Sequence, residues 1–88
     1  MRIVFSTNGW EDYQHWIESD PKVLRRLNAL IRECSRTPFK GTGKPEPLRG
    51  SLSGWWSRRI TQEDRLAYRV SGKGESRQLE IAQCRYHY

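Results

Sequence analysis

The sequence predicts an α+β fold: an N-terminal strand, then a two-helix antiparallel hairpin packed on one face of a mostly antiparallel β-sheet. Three observations predict it. Apolar residues recur at helical spacing only before residue 37. Residues 37–47 hold three of the four prolines and two of the seven glycines, a density that neither helix nor strand tolerates. Beyond them, apolar and polar residues alternate in short runs separated by turn sequences. The expected order is β-α-α-β-β-β-β, and 88 residues bound it to one domain, 1–88.

Residues 2–6 (Arg-Ile-Val-Phe-Ser) read as a short β-branched and aromatic strand. A helix is expected from about Asn8 to Glu18, capped by Ser6, Thr7 or Asn8. Trp10, Tyr13 and Ile17 fall on one of its faces, with Trp16 beside them. Asp20-Pro21 supplies an N-cap and an N1 proline for a second helix, running to about Arg36. Its apolar stripe is Val23, Leu24, Leu27, Leu30, Ile31 and Cys34. The loop 37–47 follows, long enough to suggest a functional role. Strands are then expected over Leu48–Leu52, Trp55–Thr61, Arg65–Ser71 and Arg77 to about Tyr86. Leu66, Tyr68 and Val70 alternate with Arg65, Ala67 and Arg69, so one sheet face packs on the helices and the other is wet and basic.

Charge sharpens that picture. Residues 1–35 carry five basic and five acidic side chains, whereas residues 36–88 carry eleven basic and five acidic. The whole excess of +6 therefore lies in the second part. Four Trp, four Tyr and two Phe let a chain that is only 35% hydrophobic close a core, which argues against disorder. No apolar run approaches the roughly 18–20 residues that span a membrane, and the N-terminus does not read as a signal peptide. A cytoplasmic protein without membrane contact is the expectation. Cys34 and Cys84 are too few for a disulfide framework and read as free, partly buried thiols. Cys84 and His87 are spaced like half of a metal site but have no second pair, so no metal or other cofactor is expected.

Basic and aromatic side chains interleaved on a sheet suit nucleic acid, single-stranded RNA above all. Set against this, arginines on a small protein are ordinarily a solvated face. Two residues add chemistry to charge. The chain closes on Cys84-Arg85-Tyr86-His87-Tyr88, and His87 is the side-chain type that exchanges protons near neutral pH. Glu46 is the only acidic residue between Glu33 and Glu63, and Pro45 and Pro47 stiffen the backbone on both sides. A carboxylate so held can act as a general base; the plainer reading is a turn residue paired with Lys44 or Arg49.

These residues carry a resemblance. Thr37-Pro38-Phe39 through Gly41-x-Gly43-Lys44-Pro45-Glu46-Pro47-Leu48 resembles the YoeB toxins of bacterial toxin–antitoxin systems, within the RelE/ParE superfamily. So do Leu52-Ser53-Gly54-x-Trp56-Ser57-Arg58-Arg59-Ile60-Thr61, the terminal Cys84 to Tyr88, and the Trp10, Asp12-Tyr13, Trp16 pattern. The resemblance implies a metal-independent endoribonuclease that cleaves messenger RNA in the ribosomal A site. It makes Glu46 the general base for the ribose 2′-OH and His87 the general acid for the leaving 5′-oxygen. It makes Arg65 the cation for the scissile phosphate and Tyr88 a substrate-positioning group. Lys44, Arg49 and Arg59 would hold messenger or ribosomal RNA. It further implies a YefM-like antitoxin, a homodimer, and operator DNA binding by the toxin–antitoxin complex. Two other classes remain at this stage: a ParE-like gyrase poison on the same scaffold, and a non-catalytic RNA-binding module.

Overall fold

The computed structural model describes residues 1–87. Strand β1 (Arg2–Phe5) leads into helix α1 (Thr7–Ser19) and helix α2 (Pro21–Arg36). Strands β2 (Glu46–Pro47), β3 (Trp56–Arg59), β4 (Arg65–Ser71) and β5 (Gln78–Gln83) follow. The sheet order is β1-β5-β4-β3-β2. The four later strands form an antiparallel meander, while β1 returns to pair in parallel with β5. The α+β architecture is thus the expected one. Among the described residues, no helix is long and apolar enough to cross a membrane.

The helices begin where local chemistry starts them. The Ser6 hydroxyl accepts from the Gly9 N–H at 2.9 Å and caps α1. Asp20 is at once the end of α1 and the N-cap of α2, its carboxylate accepting from Lys22 N and Val23 N. One residue therefore turns the chain, and Pro21 at N1 costs α2 no hydrogen bond. Leu27, Leu30, Ile31 and Cys34 of α2 pack on Leu66, Tyr68, Leu79 and Ile81 of the sheet. This is the inner face that the alternation in β4 predicts.

Three expectations are corrected. In α1 the buried stripe is Gly9, Asp12 and Trp16, not Trp10, Tyr13 and Ile17. Trp10 and Ile17 are about half exposed, and Tyr13 is intermediate. Close approach decides the matter: a Cβ on Gly9 would meet the Ile81 carbonyl at 2.6 Å, so this glycine lets α1 lie against β5. Second, Leu48–Leu52 is not a strand. The ladder pairs Glu46 and Pro47 with Ser57 and Trp56, and Gly50, at φ 64°, bends the chain into a 3₁₀ turn over Gly50–Leu52. Pro47 has no N–H to give, which an edge strand tolerates. Third, the end of the 37–47 loop belongs to the sheet, so Glu46 sits on a strand.

Candidate active site

Register places the outer-face residues. Glu46 pairs with Ser57, Ser57 with Ala67, and Ala67 with Gln83, forming one row across four strands. Directly paired residues point to the same side, as do residues two apart on a strand. Arg59, two residues from Ser57, and its cross-strand partner Arg65 therefore share the face of Glu46. Two arginines directly opposite each other repel, an arrangement suited to an anion between them. Toward the other end of the sheet, Arg69 is neutralised by both carboxylate oxygens of Glu80 at 3.1 Å and covers the Trp55 ring at 4.5 Å. That arginine holds Glu80 below its usual carboxylate range. The outer face is not uniformly wet: Ala67 and Ser57 are buried, and Leu48, Leu52, Trp55, Ala67, Ala82 and Gln83 line a cavity of about 190 Å³.

The loop that delivers Glu46 is held by Arg58, whose side chain is fully buried on the inner face. Its Nη2 donates to the carbonyls of Thr37 (2.6 Å) and Lys40 (2.9 Å), and its Nη1 to Thr42 (3.1 Å). Nη1 also meets the Glu33 carboxylate at 3.0 Å, and Nε donates to the Tyr68 hydroxyl, which donates to Pro38 O. The Thr42 N–H and Arg58 together hold Glu33 below its usual range. Downstream, Arg59 N donates to Gly43 O at 2.7 Å, and Arg26 Nη2 donates to Arg59 O at 3.0 Å. At Gly43, with φ 85°, a Cβ would lie only 3.1–3.2 Å from Arg59 O, the Arg58 side chain and Leu30, so the chain passes close against all three. The path into Lys44, Pro45 and Glu46 is therefore tied to the sheet through Gly43. Lys44 (φ 52°), Glu46, Arg49 and Arg59 are all exposed.

Arg65 is half-buried. Its Nη1 donates to the carbonyls of Thr61, Gln62 and Asp64 at 2.9–3.1 Å, fixing the guanidinium over the β3–β4 turn. Its backbone N–H donates to Tyr86 O at 3.0 Å, so the segment that bears His87 runs beside it. His87 is exposed, and Tyr88 lies outside the described residues. The chain reaches this position from a clamp on α1. The Cys84 N–H donates to Asp12 Oδ2 at 3.0 Å, and Trp16 Nε1 donates to Cys84 O at 2.7 Å. Burial pushes the Asp12 carboxyl up despite that N–H and the nearby Arg85, and pushes the Cys84 thiol up to about 12. Both cysteines are free, as expected, and fully rather than partly buried.

The structure thus brings Glu46, Arg59 and Arg65 onto one face, with the His87 segment tied to Arg65. Lys44 precedes Glu46 in the same loop, and Arg49 sits where the β2–β3 connection leaves the ladder. Sequence reasoning passed over Arg58, Asp12, Trp16 and Asp64 as working parts of the site. For Arg58 a signal was present: Trp56, Arg58 and Ile60 alternate, which puts the arginine on the inner face between two apolar residues. For Asp12 and Asp64 there was none, because their partners lie 72 and 22 residues away.

Two backing helices and a basic outer sheet face define the class. The YoeB/ParE toxin from Agrobacterium tumefaciens superposes with a TM-score of 0.97 at 51% identity, covering both chains completely. Staphylococcus aureus YoeB, solved as a dimer and in a heterotetrameric YoeB–YefM complex, matches at 0.88 and 38% identity, over 100% of this chain and 98% of that one. The fold is that of the small toxins of bacterial toxin–antitoxin systems. Residues 5–88 match the family described as the YoeB-like toxin of bacterial type II toxin–antitoxin systems. Toxin YoeB of Streptomyces coelicolor is 59% identical over 88 residues, the full length of both chains. The chain belongs to the YoeB-like toxin family.

Proposed function

We propose that this toxin, a single domain spanning residues 1–88, is an endoribonuclease that cuts messenger RNA in the A site of the translating ribosome. The observation that carries the reading is the convergence of Glu46, Arg59 and Arg65 on one sheet face, with the His87 segment bonded to the Arg65 backbone. Cleavage by a neighbouring 2′-OH needs three functions: a base, a cation for the charge that builds on phosphorus, and an acid for the leaving oxygen. Glu46 takes the 2′-OH proton as that oxygen attacks phosphorus. The Arg65 guanidinium, already oriented by three carbonyls, stabilises the pentavalent phosphate without reorganising. His87 protonates the 5′-oxygen as the P–O bond breaks, leaving a 2′,3′-cyclic phosphate and a 5′-hydroxyl. The nucleophile belongs to the substrate, so the step requires no metal-bound water, and DNA, lacking the 2′-OH, resists it. Tyr88 positions the substrate, while Lys44, Arg49 and Arg59 dock messenger or ribosomal RNA through phosphates.

Partner proposals follow from the same face. A YefM-like antitoxin would cover it with an acidic or apolar segment, as the S. aureus relative is found in complex with YefM. The dimer of that relative supports a homodimer here, and the toxin–antitoxin complex would bind its operator DNA. The setting of translation makes the toxin cytoplasmic. Glu46→Gln and His87→Gln test the mechanism by primer-extension mapping of a translated messenger. Cleavage should fall by about 10²–10⁴-fold with ribosome binding retained. Unchanged cleavage would overturn the assignment, and unchanged toxicity would return the gyrase-poison and RNA-binding readings.

A further inference from the structure

Strand β5 ends at Gln83, and among the described residues no sheet ladder holds the chain beyond it. A terminal segment without such support frays, yet an acid must meet its leaving group within hydrogen-bond reach. The α1 clamp on Cys84 fixes the start of the segment. Nearer His87, the Tyr86 N–H donates to Asp64 Oδ1 at 2.7 Å, and the Tyr86 carbonyl accepts from Arg65 N at 3.0 Å. Tyr86 has φ 64°, a left-handed conformation that a non-glycine residue keeps only when its surroundings impose it.

Asp64 is itself locked. Its Oδ2 accepts from the Thr61 hydroxyl at 2.7 Å, and that hydroxyl oxygen accepts from Glu63 N and Asp64 N. Its carbonyl accepts from Arg65 Nη1 at 3.1 Å. A single residue thus grips the phosphate-facing cation with its main chain and the tail with its side chain.

We propose that Asp64 is the positioning residue for the terminal acid, setting His87 relative to Arg65 through the bond to Tyr86 N. The inference rests on the reading of His87 as general acid, and the test separates the two. Removing the carboxylate leaves the Asp64 carbonyl on Arg65 in place, so the cation stays while the tail loosens. A reacting group displaced by about 1 Å can cost 10²-fold in rate.

The experiment uses ribosomes programmed with an ordinary messenger, or with one whose scissile 5′-oxygen is replaced by sulfur. A thiol ionises near pH 8.5, against a far higher value for an alcohol, so a thiolate leaves without an acid. On the ordinary messenger, Asp64→Ala should lose about 10–100-fold in kcat with KM within about twofold. Asp64→Asn, whose amide oxygen can still accept from Tyr86 N, should retain most activity. On the sulfur-bridged messenger, Asp64→Ala and His87→Gln should both cleave at the rate of the unmodified toxin. Failure of sulfur to restore His87→Gln overturns the acid assignment. Restoration of His87→Gln but not of Asp64→Ala overturns the positioning role, as does full activity of Asp64→Ala on the ordinary messenger. Loss of activity in Asp64→Asn equal to that in Asp64→Ala, uncorrected by sulfur, overturns it too.

Discussion

Replacing Arg58 by Met removes the guanidinium that gathers the 37–47 loop while keeping a long apolar side chain in a fully buried position. The carbonyls of Thr37, Lys40 and Thr42 and the Tyr68 hydroxyl all lose a donor. Each bond to a charged group contributes about 1.5–3 kcal/mol net. Loop carbonyls that open to water recover part of this, so about 3–5 kcal/mol is expected, the range for breaking a buried charged network. Domains of this kind hold about 5–15 kcal/mol in total. With an unfolding entropy of about 2.1 cal/mol/K per residue, the loss lowers Tm by about 15–25 °C. Thermal and urea melts read the change, and tryptic cleavage after Lys40, which precedes Gly41, reports the loop directly. Arg58→Lys should fall in between, because one ammonium cannot span carbonyls that a planar fork reaches together. A Tm drop under about 5 °C with the loop still protected would refute the reasoning.

Two further outcomes concern buried titrating groups. Asp12 has its folded pKa raised above the ordinary 3.8 by burial, so the native state holds its proton more tightly than the unfolded chain. That contribution to stability is fully present below pH 3.8 and is lost as pH rises through the folded value. Asp12→Asn should remove this decline, so the variant gains on the unmodified protein as pH rises in urea melts from acid to neutral. A pH-independent difference would count against it. Burial holds Cys34 at about 11 and Cys84 at about 12, so neither presents a thiolate near neutral pH. The native protein should resist thiol-labelling reagents at pH 8 and expose both cysteines only on unfolding; stoichiometric native labelling would refute the burial.

The helices were readable because their information is local. Ser6, Asp20 and Pro21 cap and start them within a few residues, and the Leu27 to Cys34 stripe repeats every turn. Strand β4 matched its expected bounds for a similar reason, since alternation is written into consecutive side chains. The same logic failed in α1, where three aromatic and aliphatic residues outvoted a glycine. Hydrophobicity could not show that Gly9 admits β5 so closely that Asp12 and Trp16 turn inward. It failed again at Leu48–Leu52, because a strand depends on a partner and Gly50 breaks the extended chain before one is met. Glu46, by contrast, was legible as a site candidate from its isolation among cations and its two prolines, although its place on a strand was not.

Residue identity alone determined the α+β class, the uneven charge, the caps, and the carboxylate and imidazole that the proposed chemistry uses. Those are properties of single residues and near neighbours. Tertiary structure alone decided that Arg58 is a buried tie rather than a surface cation, and that Arg59 and Arg65 stand opposite each other. It also decided that Asp12 and Asp64 hold the tail leading to His87. The ties made by Arg58, Asp12 and Asp64 depend on groups far apart in the chain being brought within 3 Å or so, where desolvation makes a hydrogen bond costly to leave unmade. Spacing along a sequence carries no record of that distance.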